Sequence, residues 1–211
     1  MAEQTTATVD YARPASDEAV ARVVAAASAN NIAAQVFDTG RQALEHLLSV
    51  IPEGADVFVG QSRTLEQIGL VSYLREHPGR IFDRRASLLA EADMAKRAAM
   101  RRSLLVCPLW IGSVHAITEA GQLVAVSHTG GNLAAYLSTA ERLILVAGTN
   151  KIVPTLDDAF RRAREHSLPL EDARVKATGL PGSFIGKTII VDRENTPGRA
   201  RLLLVKESLG F

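Results

Sequence analysis

Short apolar runs alternate with amphipathic stretches along most of the chain. Four runs rich in aliphatic and β-branched residues occupy positions 56–59, 104–106, 123–126 and 143–146. Between such runs apolar residues recur at helical spacing, as they do in 42–49. Uninterrupted apolar strands that alternate with helices are typical of a sheet buried on both faces. The pattern therefore predicts an open α/β fold in which a mostly parallel sheet contains these four strands and carries helices on both faces.

Capping residues and turns set the bounds of the remaining predicted elements. Ser16 is a good N-cap for a helix that runs to about Asn30, and Thr155 is a good cap for an amphipathic helix that ends at His166. Residues 168–199 are rich in proline and glycine, so we expect a long excursion across the sheet. The other predictions are helices at 42–49, 64–76, 86–101 and 133–137 and strands at 33–37, 189–191 and 202–205.

The chain is predicted to form one domain that follows a short tail. Residues 1–14 are expected to be flexible, and residues 15–211 to form a single α/β domain. Hydrophobic residues make up 47% of the chain, which suits a sizeable core. The N-terminus lacks the basic and apolar segments of a signal peptide, and no apolar run is long enough to span a membrane. We therefore expect a cytoplasmic protein.

Charge and cysteine content argue against several classes of function. Lys and Arg number 24 and Asp and Glu number 23, so the balance gives no reason to expect nucleic-acid binding. Cys107 is the only cysteine, which excludes an internal disulfide and a cysteine-based zinc or iron–sulfur site. No cofactor and no metal are predicted.

The first candidate binding segment follows the strand at 56–59. Gly60 allows the backbone to turn, and the hydroxyls of Ser62 and Thr64 can cap the helix that begins there. Free backbone N–H groups, hydroxyls and a helix N-terminus together suit an anionic ligand. An ordinary strand-to-helix turn with a hydroxyl cap is the alternative interpretation.

The second candidate segment, 127–132, is built like the first and follows the strand at 123–126. Thr129 and Asn132 can donate or accept hydrogen bonds, and Gly130 and Gly131 permit close approach of a ligand to the backbone. Helix capping is again the alternative. The sequence predicts that the first and second segments converge in one crevice.

The third candidate segment contains Asn150 and Lys151, after the strand at 143–146. Because the carboxyl ends of parallel strands meet at one edge, we expect Ser62, Thr129 and Lys151 to line one cleft. Lys151 is predicted to carry part of a preference for anions, and Lys151→Ala is expected to weaken binding by about one to two decades. We expect the fold to tolerate this change, because a solvated surface lysine contributes little to stability.

Several other residues have a chemical and a structural interpretation. Glu119 is a candidate nucleophile or general base, although it also suits the β-turn before Gly121. His115 and His128 are too few for a metal site. Cys107 is expected to be a small buried hydrophobic residue, and the basic cluster at 96–102 to be a solvated helix face or a surface that docks a partner subunit.

Four stretches resemble the LUD domain family, the lactate utilisation proteins of the LutC/YkgG type. The resemblance covers about residues 35–211, and the order and spacing of the stretches make it specific. The four stretches are 59–69 (VGQSRTLEQIG), 116–123 (AITEAGQL), 146–153 (VAGTNKIV) and 203–211 (LLVKESLGF).

The resemblance implies an α/β fold similar to the sugar-phosphate isomerase and CoA-transferase superfamily. It also implies participation in the oxidation of L-lactate to pyruvate beside iron–sulfur partner proteins. The chain departs from the family pattern at His115, where Asn is frequent, and at Ser127, Gly131 and Asn132, where Asp, Asn and Arg are frequent. The segment 178–188 has no cysteine, although some relatives carry a cysteine-rich segment there.

Three functional hypotheses remain open from the sequence. The leading one is an accessory or ligand-binding subunit for lactate oxidation that holds a small anion in the predicted cleft. The second is a free-standing enzyme that acts on a phosphosugar, a CoA thioester or a folate-like ligand, with Glu119 as base or nucleophile. The third is an interaction module whose loops are only structural. The sequence leaves the ligand, the oligomeric state and the existence of a reaction undetermined.

Overall fold

The computed structural model describes residues 10–104 and 106–211. Residues 1–9 of the predicted tail therefore lie outside the described residues. The strands are β1 (Ala33–Phe37), β2 (Ala55–Val59), β3 (Ile81–Asp83), β4 (Cys107–Gly112), β5 (Ala116–Thr118), β6 (Leu123–Ser127), β7 (Ala140–Gly148), β8 (Ile152–Val153), β9 (Lys187–Val191) and β10 (Ala200–Val205). The α-helices are α1 (Asp17–Ala29), α2 (Gly40–Val50), α3 (Arg63–Gln67), α4 (Leu70–Glu76), α5 (Arg84–Ala90), α6 (Met94–Ser103), α7 (Leu156–Arg161) and α8 (Leu168–Lys176).

The main sheet has six strands in the order β1-β10-β7-β4-β2-β3, and every neighbouring pair is parallel. The predicted open, mostly parallel sheet is confirmed. In its centre, Leu203 of β10 lies opposite Val146 of β7. Because the strands are parallel, all of their carboxyl ends meet at one edge, where ligands usually bind in open α/β sheets.

Alternate residues of the central strands enter two different cores. Leu143 and Leu145 of β7 pack on the side of α1, whereas Ile144 and Val146 pack on the side of α2 and α3. Successive side chains of a strand point to opposite faces, so a strand buried on both faces must be apolar throughout. The apolar continuity seen in the sequence has this cause, and helices cover both faces as predicted.

A second sheet packs against the α1 face and has the order β8-β5-β6-β9. It contains β6, so the prediction that 123–126 belongs to the main parallel sheet is wrong. Strand β6 runs antiparallel to both β5 and β9. Leu123 and Ala125 face the main core, and Val124 faces a smaller core beneath α7. Burial on both faces makes this antiparallel strand look like a parallel one in the sequence.

The predicted strand at 104–106 is also wrong. Leu104 caps the end of α6, Val106 is 65% exposed, and the strand begins at Cys107. Proline cannot donate to a sheet ladder, so it is rare in the interior of a strand. Here Pro108 is the second residue of β4, and the pairing with β2 starts only at Leu109. The missing N–H therefore removes no bond from that ladder.

The predicted caps Ser16 and Thr155 are confirmed, since each side chain accepts a hydrogen bond from a helix N–H. Two predicted helices are each divided. Gly69 separates α3 from α4, and Asp93 begins α6 by accepting from two backbone N–H groups. The stretch 168–199 was predicted as a long excursion across the sheet, and it contains the helix α8 and the strand β9.

Two π-helical segments, Ala135–Thr139 and Arg162–Ser167, and the 3-10 turn Thr149–Lys151 complete the structure. The first replaces the α-helix predicted at 133–137. In residues 10–104 and 106–211, no helix is both long enough and apolar enough to cross a membrane.

Candidate functional site

A cavity of about 440 Å³ opens at the carboxyl ends of β2 and β4. Gly60 follows β2 and Ser113 follows β4, and both residues line the cavity. The segment after β6 and the C-terminal residues Gly210 and Phe211 complete the wall. The cavity therefore occupies the edge of the sheet at which the sequence predicts a cleft.

The structure brings seven of the nine predicted ligand residues to this wall. Gly130 and Asn150 are the two that do not line it. Gly130 lies against the Lys187 side chain, and the Asn150 side-chain oxygen accepts from the backbone N–H of Leu209 at 3.1 Å. The seven on the wall are Gly60, Ser62, Thr64, Thr129, Gly131, Asn132 and Lys151.

The first segment departs from its prediction in its details. Helix α3 has only five residues, so it offers little of the dipole expected of a longer helix. The Ser62 side chain makes no capping hydrogen bond. Thr64 is fully buried, and its hydroxyl donates to the carbonyl of Leu209 at 3.4 Å instead of capping. Thr64 thus ties the C-terminal segment to the cavity wall.

Lys151 is buried, with 2% of its surface exposed, so the expectation of a solvated lysine is wrong. Its Nζ donates to Thr64 Oγ1 at 3.0 Å, to Ser113 Oγ at 3.1 Å and to the carbonyl of Val114 at 3.0 Å. Lys151 lies in the interior because it belongs to the buried 3-10 turn that directly follows the central strand β7. Replacement of Lys151 therefore disturbs buried hydrogen bonds.

The environment of Lys151 favours its neutral form. Burial lowers the pKa of the Lys151 amine well below its usual value, and the positive charge of Arg162 lowers it further. In the described part of the chain no carboxylate lies within 4 Å of Nζ to oppose this shift. Desolvation beside a second cation is a recognised way to activate an amine.

Arg162 is a buried cation that the sequence analysis did not single out. Its guanidinium donates to the carbonyls of Asn150 and His115, to Ser167 Oγ at 3.2 Å and to the carbonyl of Tyr11 at 3.5 Å. Burial lowers the pKa of Arg162 to about 10, so it remains charged at neutral pH. No local pattern marks Arg162, because Arg161 and Arg164 lie in the same predicted helix.

His115 supplies a neutral imidazole to the cavity wall. Its Nδ1 accepts a hydrogen bond from the backbone N–H of Val126 at 3.1 Å. In a neutral ring the proton must then reside on Nε2. Burial lowers the pKa of His115 to about 3, with smaller effects from the charges of Lys151 and Arg162. His115 therefore offers a donor rather than a charge.

Aromatic side chains form an apolar part of the wall. Phe58 stacks on Trp110 with ring centroids 4.1 Å apart, and Tyr136 donates to the carbonyl of Ser113 at 2.6 Å. On the second segment His128 contacts Phe184, with centroids 3.9 Å apart. The cavity can therefore accept an apolar or planar group beside a charged one.

Glu119 is not brought to the cavity. It lies in the turn between β5 and β6, where both carboxylate oxygens accept from Arg22 of α1, at 2.7 and 2.9 Å. The side-chain hydrogen bond from Arg22 lowers the pKa of Glu119. The turn that carries Glu119 joins β5 and β6, which belong to the second sheet. Its position suits the structural interpretation of this residue.

Positive charge exceeds negative charge on the cavity wall. Glu66 pairs with Arg63 at 2.5 Å, and Glu171 pairs with Arg174 at 2.7 Å. Arg85 and Arg101 also line the cavity. These two arginines have no ion pair within the described residues. The wall is therefore cationic although the whole chain is nearly neutral.

Other chemical possibilities raised by the sequence find little support. Among residues 10–104 and 106–211, no group of three or more His, Cys, Asp or Glu side chains could hold a metal ion. Cys107 is buried, and desolvation raises the pKa of its thiol to about 11. A thiol with that pKa stays protonated at neutral pH, as expected of a buried hydrophobic residue.

Comparison with known proteins identifies the family and the fold. A family model described as the LUD domain matches residues 20–205. No curated protein matches the chain. Among solved structures, the chain is similar to the crystal structure of a DUF162 family protein from Deinococcus radiodurans, with a TM-score of 0.53 and 11% sequence identity. That match covers 91% of this chain and 98% of the other, and at this identity it shows the fold alone.

Proposed function

Because the chain belongs to the LUD domain family, which is associated with lactate utilisation, we propose that it is a ligand-binding subunit for the oxidation of L-lactate to pyruvate. In this proposal the cavity binds a small anionic molecule, and partner proteins that carry iron–sulfur clusters perform the electron transfer. The proposal places no cluster in this chain, because Cys107 is its only cysteine.

The excess of positive charge on the cavity wall is the observation that carries the proposal. Both wall carboxylates already have arginine partners, whereas Arg85 and Arg101 have none in the described residues. Arginine binds carboxylate and phosphate groups through two parallel hydrogen bonds. The hydroxyls of Ser62 and Thr129 add neutral donors on the same wall. These groups favour an anion over a neutral ligand.

The size of the cavity favours a ligand larger than lactate. A volume of about 440 Å³ falls within the range of roughly 300–1,000 Å³ that accommodates drug-sized molecules. A three-carbon acid fills only a small part of such a space. The stacked pair of Phe58 and Trp110 further supports a ligand with an apolar or planar portion. A CoA thioester or a folate-like molecule has both features, and a phosphosugar has only the charge.

A binding experiment with paired arginine variants tests the proposal. Phosphosugars, CoA thioesters, folates and lactate are screened by thermal shift, and the best ligand is measured by calorimetry. We expect Arg85→Ala to weaken an anionic ligand by about tenfold or more, because a hydrogen bond to a charged group contributes roughly 1.5–3 kcal/mol. Arg75→Ala is the matched control, since Arg75 is an exposed arginine on α4 that does not line the cavity.

The outcomes separate the three functional hypotheses. Equal affinity in the two arginine variants, or a neutral molecule as the best ligand, contradicts the anion proposal. No stabilisation by any ligand, together with co-purification of a partner protein, supports the interaction module. Turnover of a ligand by the isolated chain supports the free-standing enzyme, for which Lys151 is a better candidate group than Glu119 because it lines the cavity.

A further inference from the structure

The amine of Lys151 is a candidate nucleophile on the cavity wall. Its Nζ lies within hydrogen-bond distance of two hydroxyls and one carbonyl, all of them neutral, and as a neutral amine it donates to only two of them. A lysine that serves only structure generally meets a carboxylate or reaches water, and Lys151 does neither in the described residues. Although it is buried, Lys151 is one of the residues that line the cavity.

Burial and the charge of Arg162 both disfavour a proton on this amine. Arg162 is buried behind the same segment, since it donates to the carbonyl of Asn150, the residue before Lys151. His115, which also lines the cavity, is neutral. Protonation of Lys151 would place a second buried cation near Arg162 with no carboxylate to offset it, which is unfavourable in a low-dielectric interior.

Groups that can move a proton lie beside the amine. Ser113 Oγ is 3.1 Å from Nζ and 3.2 Å from Thr64 Oγ1, so the three groups form a short hydrogen-bonded chain. His115 carries its proton on Nε2, because its Nδ1 accepts from Val126. An amine, a hydroxyl relay and a neutral imidazole are together suited to addition of an amine to a carbonyl.

We propose that Lys151 forms an imine with a ligand that carries a ketone or aldehyde group in this cavity. The Nζ lone pair attacks the carbonyl carbon, and the carbonyl π electrons move to oxygen, which takes up a proton. The nitrogen then loses a proton through the Ser113 and Thr64 hydroxyls. Departure of water forms the C=N bond, so that one amine and one carbonyl give one imine and one water.

The inference uses the same cavity as the proposed function but depends on a different residue and on a different part of the ligand. The proposed function needs an anionic group near Arg85 or Arg101. The imine needs only a carbonyl within reach of Nζ. Two probes separate these requirements, because pyruvate carries a carboxylate beside its carbonyl and propanal carries no charge.

Reductive trapping on the full chain tests the proposal. The protein is incubated at neutral pH with cyanoborohydride and either pyruvate or propanal, and each modified lysine is identified by peptide mass spectrometry. The other four lysines, Lys96, Lys176, Lys187 and Lys206, are exposed and serve as internal controls. We expect Lys151 to be labelled at least about tenfold faster than any of them, because an exposed lysine is almost entirely protonated at pH 7.

The variants Lys151→Arg and Arg85→Ala complete the design. Lys151→Arg keeps a long side chain with N–H donors but lacks the nucleophile, so it should lose only the Lys151 label. Arg85→Ala should slow labelling by pyruvate and not by propanal if the anion proposal holds. Equal labelling by the two probes would reject the anion preference alone. Labelling of Lys151 no faster than that of the exposed lysines would overturn the imine proposal, and this result needs only the wild-type chain.

Discussion

A buried arginine lies at each end of the main sheet, and the positive charge of the arginine is compensated differently at the two ends. At the amino end Arg199 pairs with Glu194 at 2.5 Å, and each side chain is only 9% exposed. Arg199 also donates to the carbonyl of Ala140, where β7 begins. At the carboxyl end Arg162 donates only to carbonyls and a hydroxyl, and within the described residues it has no carboxylate partner.

This difference separates a structural end from an end that can bind a ligand. A buried charge is tolerated when it is paired or well hydrogen-bonded. At the amino end Glu194 is the counter-ion of Arg199, so this arginine needs no charge from a ligand. At the carboxyl end carbonyl dipoles hold Arg162, and Lys151 is disposed to remain neutral. Under the proposed function, the negative charge at this end comes from the ligand in the cavity that Lys151 lines.

The largest loss of stability is expected from Glu194→Gln. This change leaves Arg199 buried without its carboxylate, and breaking a buried pair in this way destabilises a protein by about 3–5 kcal/mol. Urea unfolding measures the loss. The matched control is Glu119→Gln, which breaks the pair with Arg22, whose side chain is 54% exposed, and should change stability by about 1 kcal/mol or less. Similar losses in the two variants would remove the distinction between a buried and an exposed pair.

A smaller loss, about 1–3 kcal/mol, is expected from Arg162→Met at the other end of the sheet. No carboxylate is stranded by this change, and the penalty comes from carbonyls such as those of Asn150 and His115 that lose a donor. The pKa of Lys151 should rise, because the charge of Arg162 lowers it. The pH dependence of Lys151 labelling measures that shift. A loss as large as that of Glu194→Gln would contradict the proposed difference between the ends.

The sequence predicted the parallel sheet well because its central strands are buried on both faces. The same property misled the assignment of 123–126, since β6 is also buried on both faces although its neighbours are antiparallel. The hydrophobic periodicity of a strand indicates which faces are buried, and burial does not distinguish parallel from antiparallel pairing. The strand after α6 was predicted at the apolar run 104–106, whereas Leu104 ends α6, Val106 is exposed and β4 begins at Cys107.

The candidate site was predicted in outline and not in its chemistry. Loop positions after parallel strands placed Ser62 and Lys151 on one wall, whereas Thr129 reaches the same wall from the second, antiparallel sheet. The burial of Lys151 and its hydroxyl partners depends on contacts between distant segments, which no local pattern reports. Arg162 is distant in sequence from most of the residues that it contacts, so its role required the fold.

The pH dependence of stability should also differ between the ends. The pKa of His115 is about 3 in the folded chain and about 6.5 in an unfolded chain. Between these values the unfolded chain binds the additional proton. The free energy of unfolding therefore falls as pH falls from about 6.5 towards 3, by at most about 1.4 kcal/mol per pH unit from this group. Denaturant unfolding of His115→Gln should show a flatter curve in this window, and an unchanged slope would contradict the assignment.

The smallest difference in stability between two variants is expected for the glycines near the two ends, Gly210 and Gly198. Both have positive φ, +65° and +81°, so alanine at either position costs about 1–2 kcal/mol in backbone conformation. A Cβ at Gly198 meets nothing within 4 Å, whereas one at Gly210 would lie 2.4 Å from Thr64 Oγ1 and 2.9 Å from Lys151 Nζ.

Gly210→Ala should therefore lose about 1 kcal/mol more than Gly198→Ala in urea unfolding, because the C-terminal segment must shift to relieve the contact. It should also slow the labelling of Lys151, since the displaced groups are those that hold the amine. Gly198→Ala should leave that labelling unchanged. Equal stability losses and equal labelling rates in the two variants would mean that the C-terminal segment does not constrain the amine, and Lys151 would then be positioned by Ser113 and Val114 alone.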